Sequence, residues 1–122
     1  MTPREDWERC APWIEAALTH GGGFYTIEDV RGMVERGEAQ FWPGRRSAIV
    51  TQFWTFPRHK ALHYWLVGGD LEEILDQMQP SLEAFARAHG CTDIISAGRA
   101  GWARALKPYG HHHVWTALRK IL

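Results

Sequence analysis

The segment that decides the fold spans residues 61–97 and has the sequence ALHYWLVGGDLEEILDQMQPSLEAFARAHGCTDIISA. Residues 61–67 are rich in aromatic and branched side chains, which predicts a β-strand. Residues 71–89 repeat apolar side chains at helical spacing, and residues 92–97 predict a second, short strand. A long helix between two strands predicts that the strands are parallel and joined by a right-handed crossover.

The helix predicted over residues 71–89 has signals at its start, middle and end. Asp70 and Glu73 have the spacing of a capping box, and Gly90 is a typical stop. Pro80 lacks an N–H group and its ring crowds the preceding turn. We therefore expect a kink at this proline.

The chain before this segment predicts two helices and two strands. The helices cover residues 4–19 and 27–37, and the strands cover residues 39–42 and 47–56. Because their connections are short, these two strands and the strand at 61–67 are expected to be antiparallel neighbours.

The chain after this segment predicts a short helix over residues 99–107 and a last strand over residues 111–118. The whole pattern predicts an α/β fold of one domain, residues 1–122. Its mixed β-sheet has antiparallel strands followed by a parallel strand–helix–strand unit, with helices on both faces.

Composition excludes some classes of partner. Lys plus Arg and Asp plus Glu both number 14, so the formal net charge is zero. Nucleic acids and anionic membrane surfaces attract a basic excess, so neither is expected as the main partner. No apolar run approaches transmembrane length, and the N-terminus lacks a signal-peptide pattern. Cys10 and Cys91 are predicted to be buried free thiols. A cytoplasmic-type, reducing location is therefore expected.

Seven tryptophans are spread along the chain. Most are expected to be core residues. Trp54 and Trp65 fall in predicted strands, where alternation buries only one face. An aromatic-lined groove or interface is the alternative for these two.

The run His111–His113 suggests metal binding only superficially. On a strand, His111 and His113 share one face while His112 lies on the other. A third ligand, such as His63 or Asp93, would have to come from elsewhere. We therefore expect a polar strand start and no metal.

Three stretches resemble the GNAT (N-acetyltransferase) superfamily. Leu66–Leu71 passes from strand into helix, residues 85–91 resemble the end of the central GNAT helix, and residues 98–110 resemble the helix leading to the last strands. The resemblance covers roughly residues 40–118. The same stretches are also similar to those of small GNAT-like proteins encoded in phages and prophages.

The resemblance implies an N-acetyltransferase-like protein, of the phage-encoded kind, that transfers acetyl from acetyl-CoA to an unknown amine. The cofactor would lie between residues 64–70 and 94–99, with its pyrophosphate over the central helix's N-terminus. The implied cofactor contacts are Leu66, Val67, Gly68, Gly69, Asp70 and Arg99. The catalytic candidates are His63, Tyr64 and Tyr109; His63 has a suitable pKa for a general base.

The sequence also departs from the family's pattern. Asp70 stands where the family has a phosphate-binding turn, and the family's Gln/Arg position is not recognisable. Leu106 occupies the usual place of the acidic tyrosine, and Tyr109 is out of register. Acetyl-CoA binding is therefore expected to be weak or absent. The alternative is a catalytically inactive GNAT-fold phage virion component or assembly factor, located in the host cytoplasm or virion, with a phage structural protein as partner.

Overall fold

The structure, a computed structural model, describes residues 2–97 and 101–122. A four-stranded sheet in the order β1–β2–β3–β4 forms its centre. The helices are α1 (Pro3–Thr19), α2 (Ile27–Glu35), α3 (Leu71–Glu73), α4 (Gln79–Ala88) and α5 (Gly101–Leu106). The strands are β1 (Gln40–Pro43), β2 (Ser47–Thr55), β3 (Lys60–Gly69) and β4 (Asp93–Ser96).

The sheet has the predicted mixture of strand directions. β1, β2 and β3 are successive antiparallel neighbours. β3 and β4 are parallel, with Ala61 opposite Asp93 and Tyr64 opposite Ser96. The α/β fold and the strand–helix–strand unit predicted from the sequence are therefore confirmed.

Helices cover both faces of the sheet. On one face, α1 and α2 bury Ile14 and Val30 against Val50 and Leu66. On the other face, α4 buries Leu82 and Ala86 against a second cluster that includes Ile49 and Leu62. Alternation along β2 explains the division, because neighbouring residues 49 and 50 point to opposite faces. The sheet is thus the middle of three layers.

The helical segment after β3 departs from the prediction of one kinked helix. Residues 74–78 form a π-helical turn between α3 and α4, and the N–H of Gln79 bonds to the carbonyl of Ile74. Pro80 follows in the first turn of α4. The first turn of a helix tolerates a missing N–H, so the wide turn accommodates the proline.

The strand predicted over residues 111–118 is wrong. Residues 111–122 have no regular secondary structure. After a 3₁₀ turn over Lys107–Tyr109, Gly110 adopts a left-handed conformation with φ of 88°. A groove of about 1180 Å³ then separates the segment from β4. Without a neighbouring strand edge, its branched and aromatic side chains do not make it a strand.

The C-terminal segment instead contacts Trp54 of β2 and the loop between α1 and α2. Trp115 stacks on Trp54 with ring centroids 6.2 Å apart. Arg119 donates a hydrogen bond to the carbonyl of Gly22 and lies 4.5 Å from the ring centroid of Phe24. The segment therefore passes next to the aromatic residues of the cleft described below.

The prediction that both cysteines are buried free thiols is confirmed only in part. Cys10 is a buried free thiol as predicted, whereas Cys91, also free, is only partly buried.

Within residues 2–97 and 101–122, no helix has the length and apolar character needed to cross a bilayer.

Candidate functional site

A bulge in β3 shapes the site. Val50 of β2 pairs with Leu66, but the next residue, Thr51, pairs with Tyr64. Trp65 is therefore an extra residue without an opposite partner in β2. A bulge of this kind twists the strand and changes the direction of its side chains.

The bulge places consecutive side chains of β3 on unexpected faces. Trp65 and Leu66 both pack on the α1 face. Tyr64 and Val67, on either side of them, pack on the α4 face. The strand therefore presents residues to both faces within four positions, as a cleft that passes through the sheet requires.

The pairing of the parallel strands β3 and β4 ends next to the bulge. The pairing of β3 with β4 ends at Tyr64 and Ser96, whereas β3 continues to Gly69. Beyond that pair, a cavity of about 430 Å³ opens between the strands. Small-molecule sites commonly have volumes of about 300–1,000 Å³. The cleft therefore has the size of a ligand site.

The cavity has two chemically distinct ends. On the α1 face it is lined by Phe24, Tyr25, Trp54 and Trp65, and the rings of Tyr25 and Trp65 meet edge to face with centroids 4.8 Å apart. On the α4 face it is lined by aliphatic side chains, namely Val67, Ile74, Leu75 and Leu106. We call these the aromatic end and the aliphatic end.

Three buried polar atoms in this cavity have no hydrogen-bond partner among the described residues. They are Nε2 of His63, the hydroxyl oxygen of Tyr64 and Oγ of Ser96. A buried polar atom without a partner costs roughly 1–3 kcal/mol. Three of them around one cavity point to a polar ligand or to bound water.

His63 is held between an aromatic ring and an amide. Its ring stacks on Trp54 with centroids 3.8 Å apart, and Nδ1 lies 3.1 Å from Nε2 of Gln52. Burial lowers the pKa of His63 from 6.5 to about 4, so the ring is neutral at pH 7. An amide can turn either its oxygen or its nitrogen to the ring. Gln52 is therefore compatible with either tautomer of His63, one in which Nε2 donates a hydrogen bond and one in which it accepts.

Tyr64 is suited to donating a hydrogen bond. Burial raises the pKa of Tyr64, and the negative charge of Glu83 raises it further. The phenol stays protonated at neutral pH. Its O–H group therefore faces the cleft as a donor or a weak acid.

Packing explains the two glycines at the end of β3. A Cβ on Gly68 would lie 2.4 Å from the carbonyl oxygen of Trp13. Gly69 has φ of 99°, and a Cβ there would lie 2.3 Å from the carbonyl oxygen of Arg46. The fold itself requires both glycines, and neither lines the cavity.

Asp70 caps the helix that begins at Leu71, as predicted. Its Oδ1 accepts the N–H of Glu72 at 3.0 Å, and its Oδ2 accepts from Nε of Arg46 at 2.9 Å. The carboxylate therefore takes a first-turn N–H that an anionic ligand would otherwise use. Arg46 offsets part of the negative charge.

The other predicted site residues are not all in the cleft. Leu66 lines it, together with Val67, His63 and Tyr64. Tyr109 does not; it is exposed and donates a hydrogen bond to Asp76 at 3.0 Å. Arg99 lies outside the described residues. Leu106, in the family's tyrosine position, is buried and lines the cavity.

The structure does not gather the three consecutive histidines into a cluster of possible metal ligands within the described residues. Among the part of the chain that the structure describes, no three His, Cys, Asp or Glu side chains cluster closely enough to hold a metal ion. His113 is within 3.0 Å of the hydroxyl of Thr116. His111 lies beside Tyr64, with ring centroids 6.5 Å apart.

Tyr25, which lines the cleft, and Gln52, which contacts His63, were not predicted from the sequence. Tyr25 follows the glycine run that ends α1, and Gln52 lies opposite His63 on β2. The pairing of Gln52 with His63 depends on the register, which the sequence does not give.

The bulged parallel pair, the cleft and the two helical layers define a GNAT-like α/β fold, and solved structures agree at the level of fold. A Trypanosoma brucei acetyltransferase is 14% identical, with a TM-score of 0.57 over 79% of this chain and 78% of that chain. The protein TTHA1254 of Thermus thermophilus is 14% identical, with a TM-score of 0.62 over 99% of this chain and 93% of that chain. A point mutant of TTHA1254 is 13% identical, with a TM-score of 0.64 and the same coverage. No protein-family model and no curated protein sequence matches the chain.

Proposed function

We propose that this protein is an N-acyltransferase that transfers an acetyl group from acetyl-CoA to an amine. The observation that carries the proposal is the cleft at the β3 bulge, where polar atoms of His63, Tyr64 and Ser96 that have no partner among the described residues surround one cavity. A thioester and an amine need such groups, since charge and protons move between them during acyl transfer. The fold likeness to an acetyltransferase supports the same reaction class.

The aliphatic end suits the acyl-pantetheine arm of the donor. This arm is a narrow chain with two amides, and residues 65–69 of β3 have no strand beside them on the β4 side within the described chain. A strand edge of this kind offers unpaired N–H and C=O groups. Leu66 and Val67 would contact the arm, as the sequence resemblance implies.

The turn at Gly68–Asp70 suits the diphosphate less well. Asp70 already occupies a first-turn N–H group and brings a negative charge to the place where the diphosphate would lie. We therefore propose that acetyl-CoA binds weakly and is held mainly through its acyl-pantetheine arm.

The cleft residues have clear roles in the proposed reaction. The amine nitrogen forms a bond to the thioester carbonyl carbon, the C–S bond breaks, and sulfur leaves with its electron pair. Nε2 of His63 accepts the proton that the nitrogen loses, provided that Gln52 holds the ring in the tautomer protonated at Nδ1. The hydroxyl of Tyr64 donates to the leaving sulfur. An amide and a free thiol result.

The second candidate is a GNAT-fold protein that binds a partner without catalysis, such as an assembly factor. The observation in its favour is the acidic cap at Asp70, which accepts hydrogen bonds from both the helix and Arg46. Folds are retained when activity is lost, so the fold alone does not separate the two candidates.

Two measurements separate the candidates. Calorimetric titration with acetyl-CoA tests binding, and release of the CoA thiol in the presence of an amine panel tests transfer. We expect Tyr64→Phe to lower kcat about 100-fold while leaving donor affinity within about twofold. Tyr109→Phe, the same change outside the cleft, should leave kcat unchanged.

Each other result has a definite meaning. A loss of kcat in Tyr109→Phe, with Tyr64→Phe unaffected, would place the acid outside the cleft. Failure of the natural protein to bind acetyl-CoA, or binding without transfer to any amine, would overturn the enzyme proposal and favour the second candidate.

A further inference from the structure

Four aromatic rings, together with Ala17, Leu18, His20 and Gly21, line the aromatic end of the cleft. Trp54 stacks on His63, and Tyr25 meets Trp65 edge to face. Phe24 completes this wall from the loop between α1 and α2. Tyr25 is 42% exposed and Phe24 is 66% exposed. Two rings thus stand at the entrance, where a flat ligand would cover them.

No Asp, Glu, Lys or Arg side chain is found among the described residues that line the cavity. A positively charged aliphatic amine would therefore lose its hydration without gaining a carboxylate partner. Burial of an unpaired charge is strongly unfavourable. The lining thus offers polyamines, amino sugars and lysine side chains no carboxylate partner among the described residues.

One polar atom interrupts this aromatic wall. Nε2 of His63 is buried, lines the cavity and has no partner among the described residues. A neutral amino group attached to a ring can hydrogen-bond to that nitrogen while its ring packs on Trp65 and Tyr25. Aromatic pairs in such offset or edge-to-face arrangements are stabilised by more than the area they bury.

We propose that the aromatic end binds a neutral arylamine, and that this arylamine is the acyl acceptor. The naming of the ligand as an acceptor rests on the proposed function; its binding does not. The ring occupies the space between Tyr25, Trp54 and Trp65, and the amino group faces His63.

The chemistry of an arylamine fits this environment. Its nitrogen is weakly basic and therefore reaches the cleft uncharged, with its electron pair available. It forms the C–N bond, the C–S bond of the thioester breaks, Nε2 of His63 accepts the proton that the nitrogen loses, and the hydroxyl of Tyr64 donates to the departing sulfur. Because His63 is itself a weak base at this site, it suits an amine that needs no deprotonation before attack.

Binding is tested first, without an acyl donor. The purified chain is titrated calorimetrically with 4-ethylaniline and, in parallel, with spermidine at the same pH and ionic strength. We expect heat of binding with 4-ethylaniline and at least tenfold weaker binding of spermidine. Tyr25→Ala should weaken the binding of 4-ethylaniline about tenfold. Tyr109→Ala is the matched control, since Tyr109 is 41% exposed and does not line this cavity; it should bind 4-ethylaniline like the natural chain.

The outcomes separate this inference from the proposed function. If 4-ethylaniline does not bind, or if Tyr25→Ala and Tyr109→Ala weaken it equally, the inference is overturned. Acetyl transfer to spermidine but not to 4-ethylaniline overturns the inference and leaves the proposed function standing. Binding of 4-ethylaniline that depends on Tyr25, followed by its acetylation, supports both. The same binding without transfer to any amine supports the arylamine site and overturns the proposed function.

Discussion

The carboxylate of Glu73, in the first turn after β3, accepts a hydrogen bond from the hydroxyl of Ser47 at the start of β2, and both side chains are buried. The same carboxylate accepts the N–H groups of Arg46 at 2.9 Å and Arg45 at 3.2 Å. A Cβ on Gly44 would lie 2.4 Å from it. Glu73 therefore joins the β1–β2 turn to the helix start.

We expect Glu73→Gln to destabilise the protein by about 2 kcal/mol at pH 7, because an amide cannot accept all three hydrogen bonds and loses the charge. Burial alone would raise the pKa of Glu73, but the hydrogen bonds from Ser47, Arg46 and Arg45 together lower it below 4.5. The stability advantage of the natural protein over Glu73→Gln is thus complete above about pH 4.5 and declines as pH falls through the lowered pKa. Urea unfolding at several pH values measures both effects.

The control for this change is Glu72→Gln. Glu72 is the preceding residue and is exposed. Its replacement should stay within about 0.5 kcal/mol. Equal destabilisation by the two variants would show that general helix-start electrostatics, and not the buried hydrogen bonds, make the difference.

Phe85→Ala tests the packing of α4 on the sheet. Phe85 meets Trp42 edge to face at 5.1 Å and stacks on Phe53 at 5.7 Å. It is only partly buried, so we expect a loss of about 2–3 kcal/mol, near the lower limit for such truncations. The exposed His112→Ala should cost less than about 0.5 kcal/mol. Denaturant melts in which His112→Ala is the more damaging change would contradict this account of the core.

The fold was predictable from the sequence because its signals are local. The apolar spacing of residues 71–89, the cap at Asp70 and the stop at Gly90 together indicated the crossover. That crossover then required the parallel pair. The last strand, predicted at residues 111–118, failed because composition indicates which residues suit a strand but not whether a partner edge is within reach.

The site was less predictable than the fold because it depends on register. His63 and Tyr64 were candidates from their position on β3. The bulge at Trp65, which puts the neighbouring side chains of Trp65 and Leu66 on the same face, leaves no composition signal in the sequence. The aromatic end also joins Tyr25, from a loop, to a strand far along the chain, and only the folded structure brings them together.

His63 should make stability depend on pH. Burial lowers its pKa from 6.5 in the unfolded chain to about 4 in the fold. Between these values the unfolded chain binds more protons, so stability is fully present above about pH 6.5 and falls as the solution is acidified. The loss is at most about 3 kcal/mol by pH 4. His63→Gln should flatten this slope in denaturant melts taken from pH 7 to pH 4.

His111→Gln is the comparison for that slope. Burial also lowers the pKa of His111, which is closer to the surface and adjoins His112. Its removal should change the slope less than removal of His63 does. An unchanged slope in His63→Gln would mean that His63 is solvated in solution, and would weaken its assignment to the cleft chemistry.

Asp70 is the residue at which the enzyme and the non-catalytic candidate differ most. Its carboxylate both caps the helix and pairs with Arg46. The pair is largely exposed, so it offsets the charge of Asp70 only in part.

Asp70→Asn keeps a side-chain oxygen for the helix cap, removes the negative charge and releases Arg46 toward a phosphate. We therefore expect it to tighten acetyl-CoA binding about tenfold, with little change in thermal stability. The measurement is calorimetric titration of both proteins at one fixed ionic strength. Asp93→Asn removes an equal charge on β4, beside the opposite end of β3, and should leave the affinity for acetyl-CoA unchanged.

If the natural protein binds tightly and Asp70→Asn binds no better, Asp70 does not repel the diphosphate, and the acidic cap no longer argues against an enzyme. If neither protein binds, the cap is not what prevents binding, and the non-catalytic candidate gains.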